Sequence, residues 1–454
     1  MNPPVTKNQQ VELEISALAS EGQGIGRVEG YAVFVAGALP GERVLALIIK
    51  ATSSYAVGKL LHVLMPAKER VEPRCTAFGK CGGCSLQHLD YAAQLQSKRA
   101  VVRDALERIG GFTGIDVLPV IGMADPWEYR NKGAFPFASV DGCVQAGFFA
   151  PRSHRLIPLE RCDIEQPAIM EAVLAIADWA NEQGIAAYDE ETGRGSLRHA
   201  VVRTTRAGDV MAAVVTAGRL IKEAELVQKL TQRVLNLKSI VHNLNPKRTN
   251  VIFGDSFRLV WGREKLTDEL LGIRLEVSAA SFLQVNPEQT ERLYEKAIEL
   301  AALTGRELVV DLYCGIGSIS LALAQKAESV IGIESVPEAI ADANANALLN
   351  NIQNARFLCA AAEEELPRLV EEGLRPDVIV LDPPRKGAET EAIRAIAASG
   401  APRVVYVSCN PASLARDAKL LGEYGYALQT VQPVDMFAHS AHVESVVLML
   451  RVKE

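Results

Sequence analysis

A cysteine closes the apolar run Val404-Val405-Tyr406-Val407-Ser408-Cys409-Asn410-Pro411, and an acid interrupts a second one, His442-Val443-Glu444-Ser445-Val446-Val447-Leu448. A thiolate, a general base and an electrophilic methyl donor suffice to methylate an unreactive ring carbon such as uracil C5. That carbon is too electron-poor to attack a methyl sulfonium unaided. Adding a thiolate to C6 turns the ring into an enolate with a nucleophilic C5, which splits one hard step into easier ones. A base then takes the C5 proton, and elimination expels the cysteine. Cys409 fits the nucleophile because it ends a strand beside polar Ser408 and Asn410. Its thiolate needs stabilising, since a free cysteine has a pKa of about 8.5. Glu444 fits the proton acceptor. Taken singly, each residue reads more simply as packing, a buried thiol and an acid paired with an arginine. Asp435 and His439 are nearby polar candidates with an equally good reading as loop residues.

The pair gains meaning from what precedes it. In an open α/β sheet, ligands bind beyond the carboxyl ends of the strands. After the apolar strand Leu308-Val309-Val310 comes Asp311-Leu312-Tyr313-Cys314-Gly315-Ile316-Gly317-Ser318, leading into a helix from about Ile319. Glycines there let the backbone approach a ligand, and a helix start offers free N–H groups to a carboxylate. Glu334 ends the next strand, where an acid can bond ribose hydroxyls, and Asp382-Pro383-Pro384-Arg385 follows a later one. A nicotinamide site needs G-x-G-x-x-G, but Ser320 stands at the third glycine. S-adenosylmethionine is the better ligand. Amino-group methyltransferases follow Asp-Pro-Pro with an aromatic residue, and Arg385 stands here instead.

Three of the eight cysteines cluster as Cys75-x5-Cys81-x2-Cys84. A fourth thiol from afar, Cys143 or Cys162, would complete a set suited to zinc or an iron–sulfur cluster. The three-plus-one arrangement leans toward a [4Fe–4S] cluster. Cys314, Cys359 and Cys143 otherwise read as buried or incidental thiols.

These residues need elements to position them, and 454 residues allow two or three domains. Residues 1–66 read as a small β-barrel: Val11 to Ile15, Ala32 to Val35 and Val44 to Ile49 are strands, with glycines between them as turns. Residues 67–265 read as a mixed α+β unit with the cysteine cluster, a basic helix from Leu95 to Ile109 and a helix from Pro167 to Glu182. Residues 266–454 alternate strands with helices, which predicts an α/β fold with a mostly parallel sheet. No secretory signal is evident, and no apolar run approaches the roughly 18 residues that span a bilayer. A cytoplasmic protein with reduced thiols is expected. The net charge of −7 argues weakly against nucleic-acid binding. Residues 1–160 nevertheless carry 17 basic against 15 acidic side chains, so a polyanion would meet that part more readily.

Together the motifs resemble the RNA (uracil-5-)-methyltransferase family, in particular its 23S ribosomal RNA branch, over nearly the whole chain. Gly24-Ile25-Gly26-Arg27 through Glu42 resembles the TRAM domain, a small OB-like RNA-binding barrel. The resemblance implies a class I, Rossmann-like methyltransferase domain, with Cys409 as nucleophile and Glu444 as proton acceptor. It implies Gln284 (in Ser281-Phe282-Leu283-Gln284-Val285-Asn286), Tyr313, Glu334 and Asp382 as contacts to S-adenosylmethionine. It also implies Cys75, Cys81, Cys84 and Cys162 as the four ligands of a [4Fe–4S] cluster. Two positions depart from the pattern, Ser318 and Ala361, where some members have asparagine and a polar contact. The expected partner is large-subunit ribosomal RNA, with no membrane. The barrel and cysteine cluster are expected to argue against the transfer-RNA branch. Rival readings are an RNA cytosine-C5 methyltransferase and a non-catalytic iron–sulfur RNA-binding or assembly factor.

Overall fold

The computed structural model describes residues 3–452. Strands β1 (Gln10–Leu18), β2 (Gly24–Val28), β3 (Tyr31–Ala36), β4 (Arg43–Ala51) and β5 (Tyr55–Met65) close into a barrel in the order β1-β2-β3-β5-β4. Side chains alternate across a strand, so Val11, Leu13 and Ile15 of β1 meet Val44, Ala46 and Ile48 of β4 inside. The glycines of β2 are not turn residues, as the sequence suggested. A Cβ at Gly24 would lie 2.6 Å from the Ala38 carbonyl oxygen, so glycine permits a close backbone approach within a strand.

A helix α1 (Tyr91–Ala105) starts at Asp90, whose side chain accepts the Ala92 N–H, and runs through a π turn to Gly110. It buries the stripe Gln94, Lys98 and Val102. Val102 and Leu106 join a core with Leu414, Ala415 and Tyr406 from far along the chain. The next sheet holds β6 (Lys132–Val140), β7 (Cys143–Phe149), β8 (Leu156–Pro158), β9 (Leu197–Thr204), β10 (Val210–Thr216), β11 (Leu237–Leu244) and β12 (Ser256–Gly262). Its order is β12-β11-β10-β9-β6-β7-β8. One face packs with α2 (Pro167–Glu182) and α3 (Glu223–Arg233). The other, through Met211, Ala213, Val215 and Val241, shares a core with the C-terminal part of the chain.

That part begins with the hairpin β13 (Leu266–Leu270) and β14 (Ile273–Val277), followed by α4 (Pro287–Ala301). Strands and helices then alternate: β15 (Leu308–Leu312), α5 (Ser318–Ala324), β16 (Ser329–Glu334), α6 (Pro337–Leu349), β17 (Ala355–Cys359) and α7 (Ala362–Glu371). After them come β18 (Val378–Leu381), α8 (Thr390–Ser399), β19 (Arg403–Ser408), α9 (Pro411–Glu423), β20 (Tyr426–Val434) and β21 (Glu444–Arg451). The sheet order is β17-β16-β15-β18-β19-β21-β20. The first five are parallel, and β21 runs antiparallel between β19 and β20. All four residues of β18 are buried, as in a sheet covered on both faces. Glu444 is the first residue of β21 rather than an interior one, because the ladder with β20 begins at the pair Val434–Glu444. No helix of the described residues is long and apolar enough to cross a membrane.

Candidate active site

The carboxyl ends of β15, β16, β18 and β19 open, with the start of β21, on a cleft of about 1420 Å³. Gln284, Tyr313, Glu334, Asp382, Cys409 and Glu444 all line it. Cys409 and Glu444 meet through strand register. Ser408 pairs with Ser445 across β19 and β21, so the next step of an antiparallel ladder sets Cys409 beside Glu444. Asn410 caps α9 by accepting the Ala412 N–H at 3.1 Å and donates from Nδ2 to the Arg385 carbonyl at 2.9 Å. Ser413 Oγ donates to the same carbonyl at 3.2 Å. The Asp382-Pro-Pro-Arg385 loop is thereby held against the cysteine.

Charge in the cleft is predominantly negative. Glu444 is 2% exposed, and its Oε2 has no hydrogen-bond partner among the described residues. Burial first, then the Asp382 carboxylate, raises its pKa; burial raises that of Asp382. The Cys409 thiol is pushed up to about 11 by burial, with Glu444 and Asp382 adding to the effect and Arg385 opposing it. A bound cation would favour the ionised form of all three groups.

The glycine turn forms the other side. Gly315 and Gly317 have φ of 55° and 82°, a region that favours glycine. A Cβ at Gly315 would meet nothing within 4 Å, which leaves the backbone open to the cleft, whereas one at Gly317 would press on Phe357 at 3.0 Å. Glu334 accepts the N–H groups of Gly315 (3.3 Å) and Val336 (3.0 Å). Ser320, at the missing third glycine, donates to Asp311 at 2.5 Å. Asp311 is nonetheless pushed up to about 7 by burial, which that bond only partly offsets. The Tyr313 hydroxyl is buried with no hydrogen-bond partner among the described residues. The loop carrying Gln284 is fixed at both ends: Arg203 donates to the Ser281 carbonyl at 2.5 Å, and the Asn131 N–H to that of Val285 at 2.8 Å.

Two polar candidates fall outside the cleft. Asp435 pairs with Lys98 at 2.5 Å and accepts from Tyr91 Oη at 2.7 Å. His439 stacks on Trp127, with ring centroids 3.8 Å apart. Sequence reasoning missed the outer wall, where Phe257 (41% exposed) and Leu259 (42%) of β12 join Phe282 (69%) at the cleft. Their spacing along the strand was the available signal.

A second cavity, of about 230 Å³, is lined by Cys75, Cys81, Cys84 and Cys162, with Arg130 and Glu165. Cys143 is exposed at the start of β7 and does not line it; Cys359 is exposed and Cys314 buried. Burial pushes the Cys84 and Cys162 thiols up to about 12 and raises Cys81. Among the described residues, no three His, Cys, Asp or Glu side chains converge on a position for a single metal ion.

A seven-stranded sheet with one antiparallel strand, a glycine turn after its first strand and an acid ending its second define an S-adenosylmethionine-dependent methyltransferase fold. The family model for tRNA (uracil-5-)-methyltransferase matches residues 221–452, and that of the TRAM domain residues 4–61. An uncharacterized RNA methyltransferase of Halalkalibacterium halodurans is 47% identical, covering 98% of each chain. One from Enterococcus faecalis is 46% identical, covering 99% of each. The crystal structure of the Pyrococcus abyssi tRNA (uracil-54, C5)-methyltransferase in complex with S-adenosyl-L-homocysteine superposes with a TM-score of 0.79 at 26% identity. That match covers 97% of this chain and all of that one. The chain belongs to the RNA (uracil-5-)-methyltransferase family and carries a TRAM domain at its N-terminal end. The archaeal match is too complete to omit the barrel, so the barrel does not separate ribosomal from transfer-RNA enzymes. The expectation that it would is corrected.

Proposed function

We propose that this chain methylates C5 of a uridine in 23S ribosomal RNA through a covalent adduct between Cys409 and C6. The observation that carries the mechanism is the placement of Cys409 beside Glu444, whose carboxylate has an unpartnered oxygen. Cys409 Sγ adds to C6 and C5 takes the methyl group. Glu444 then removes the C5 proton, and the C5–C6 double bond re-forms as the thiolate leaves. A base with a raised pKa suits this step, because proton transfer is most effective with a pKa near the working pH. S-adenosylmethionine, when bound, supplies the electrophilic methyl group and a positive charge. Gly315, Glu334, Gln284, Tyr313 and Asp382 would hold it, and the anionic cleft suits a sulfonium. The target uridine must be unstacked to reach Cys409, so a loop is expected.

Cys75, Cys81, Cys84 and Cys162, which line one cavity, would hold the [4Fe–4S] cluster that the resemblance implies. Four thiolates suit zinc or an iron–sulfur cluster, and the three-plus-one arrangement leans toward the cluster. Its role would be structural, tying residues 75–84 to residue 162. Full solubility, RNA affinity and rate in an iron-free Cys84→Ser protein would remove that role.

The sequence resemblance favours ribosomal RNA, and the relatives at 47% and 46% identity, named only as RNA methyltransferases, are compatible with either substrate. The full-length likeness to an archaeal tRNA enzyme keeps transfer RNA as the second reading. Purified protein with labelled S-adenosylmethionine and unmodified 23S or transfer RNA, followed by nucleoside digestion, decides between them. Label in 5-methyluridine from 23S RNA alone is expected; label from transfer RNA would overturn the branch. Label in 5-methylcytidine would overturn the target base, and no label would favour a non-catalytic RNA-binding role.

A further inference from the structure

We propose that Ser85, next to the last cysteine of the 75–84 loop, is a positioning residue for Glu444. The inference rests on the covalent mechanism above and concerns how its base is held. Glu444 follows directly from the segment joining β20 to β21, and that segment is secured from outside the methyltransferase sheet. The N–H groups of Ser85 and Leu86 both donate to the His439 carbonyl, at 3.0 and 2.9 Å. The Ala441 N–H donates to Ser85 Oγ at 3.0 Å. Tyr129 Oη donates to the Ala438 carbonyl at 3.0 Å. Gln94 brackets His439, its Oε1 accepting the backbone N–H at 3.1 Å and its Nε2 lying 3.2 Å from the ring Nδ1.

His439 has φ of 64°, a conformation a non-glycine residue keeps only where its surroundings hold it. The barrel reaches the same point: a Cβ on Gly22 would lie 3.2 Å from Ser85 Oγ and 3.3 Å from Ala441 Cβ. Cys84 and Cys162 pack on the small core that contains Ala438. Ser85 is thus where the cysteine loop, a barrel turn and the approach to Glu444 meet. Its hydroxyl bond falls on the backbone just ahead of the base.

The consequence is confined to one step. Glu444 is required after methyl transfer, when the C5–H bond breaks and the proton moves to its carboxylate. The released electron pair forms the C5–C6 double bond as the S–C6 bond breaks and its pair returns to Cys409. A displaced base leaves the methylated adduct standing.

The test compares cluster-loaded wild type, Ser85→Ala and Ser85→Thr. Four quantities are measured: kcat and KM with RNA, S-adenosyl-L-homocysteine affinity, denaturant-stable protein–RNA adduct, and hydrogen exchange over residues 435–443. For Ser85→Ala we expect kcat to fall roughly tenfold to a hundredfold, with KM and cofactor-product affinity unchanged. Adduct should accumulate and the Ala441 amide should exchange faster. Ser85→Thr, which keeps the hydroxyl, should restore all of these. Wild-type turnover in Ser85→Ala overturns the proposal, as does a slow variant without adduct, or one that loses S-adenosyl-L-homocysteine affinity in parallel. If wild type makes no 5-methyluridine, the uridine mechanism fails instead. Exchange at Ala441 then decides the placement alone, and an unchanged rate overturns it.

Discussion

Asp435 and Glu444 bracket one short segment, are both buried, and meet opposite surroundings. Asp435 has a lysine and a tyrosine hydroxyl on its carboxylate. Glu444 has an oxygen with no partner among the described residues and a second acid for company. A buried carboxylate with a cation is part of the framework, and removing one partner strands the other. A buried carboxylate without one is retained at a cost in stability, which is where perturbed catalytic acids and bases concentrate. The same residue class, a few positions apart, thus serves a clasp in one place and, in the mechanism we propose, chemistry in the other.

The largest effect should come from the proposed nucleophile. Cys409→Ala should lower methyl transfer on the order of 10⁶-fold while S-adenosyl-L-homocysteine still binds, as measured by label transfer and by titration. Retained turnover would dissolve the contrast, because the cleft would then have no chemistry to serve. Glu444→Gln should cost about 10²- to 10⁴-fold in turnover and accumulate adduct. It should also stabilise the fold. The pKa of Glu444 is raised in the folded state, so its contribution to stability is present at low pH and lost as pH rises through the raised value. Glutamine removes that loss, and the gain in denaturation midpoint should be larger at pH 8 than at pH 5.

Asp435→Ala should do the reverse, destabilising by about 3–5 kcal/mol through the stranded Lys98; denaturant titration measures it. A loss as small as that of a surface substitution would mean that the two acids are not different in kind. The smallest effect sharpens the cleft's sign of charge. Alkylation of Cys409, followed by peptide mass spectrometry, should accelerate about tenfold per pH unit below its raised pKa. Cationic S-adenosylmethionine should lower that profile relative to the neutral S-adenosyl-L-homocysteine, and identical profiles would show that the site does not couple thiol and sulfonium.

Much of the α/β half was legible because parallel strands buried on both faces read as continuous apolar runs, and Leu308, Ser329, Val378 and Val404 each open one. Helix α2 was legible from Pro167 at its first turn and its apolar periodicity. The clasp was not. The inward stripe of α1 includes Gln94 and Lys98, residues that a pattern assigns to solvent and that only distant partners at 435–439 make burial-tolerant. Asp435 and His439 stood as polar candidates beside Glu444 for the same reason, since partners decide their meaning and sequence proximity does not. In the barrel, β2 was hidden by glycines whose reason is a neighbouring carbonyl. The joining of Cys162 to the cysteine loop in one cavity depends on how β8 leads into α2, which no local spacing encodes.

The reversed direction of β21 has a geometric consequence for how such a site can be assembled. A site at the carboxyl edge of a parallel sheet is ordinarily furnished by residues that leave strands. A seventh strand running parallel to the rest would begin at the opposite edge, and its first residue would lie about 20 Å from Cys409 over six residues at 3.3 Å each. Running it backward brings an entering residue to the edge where the others exit. One proposed reagent thus stands where the chain leaves a strand and the other where it enters the adjacent one. The length of the intervening excursion is then free to vary, provided its last step lands in register.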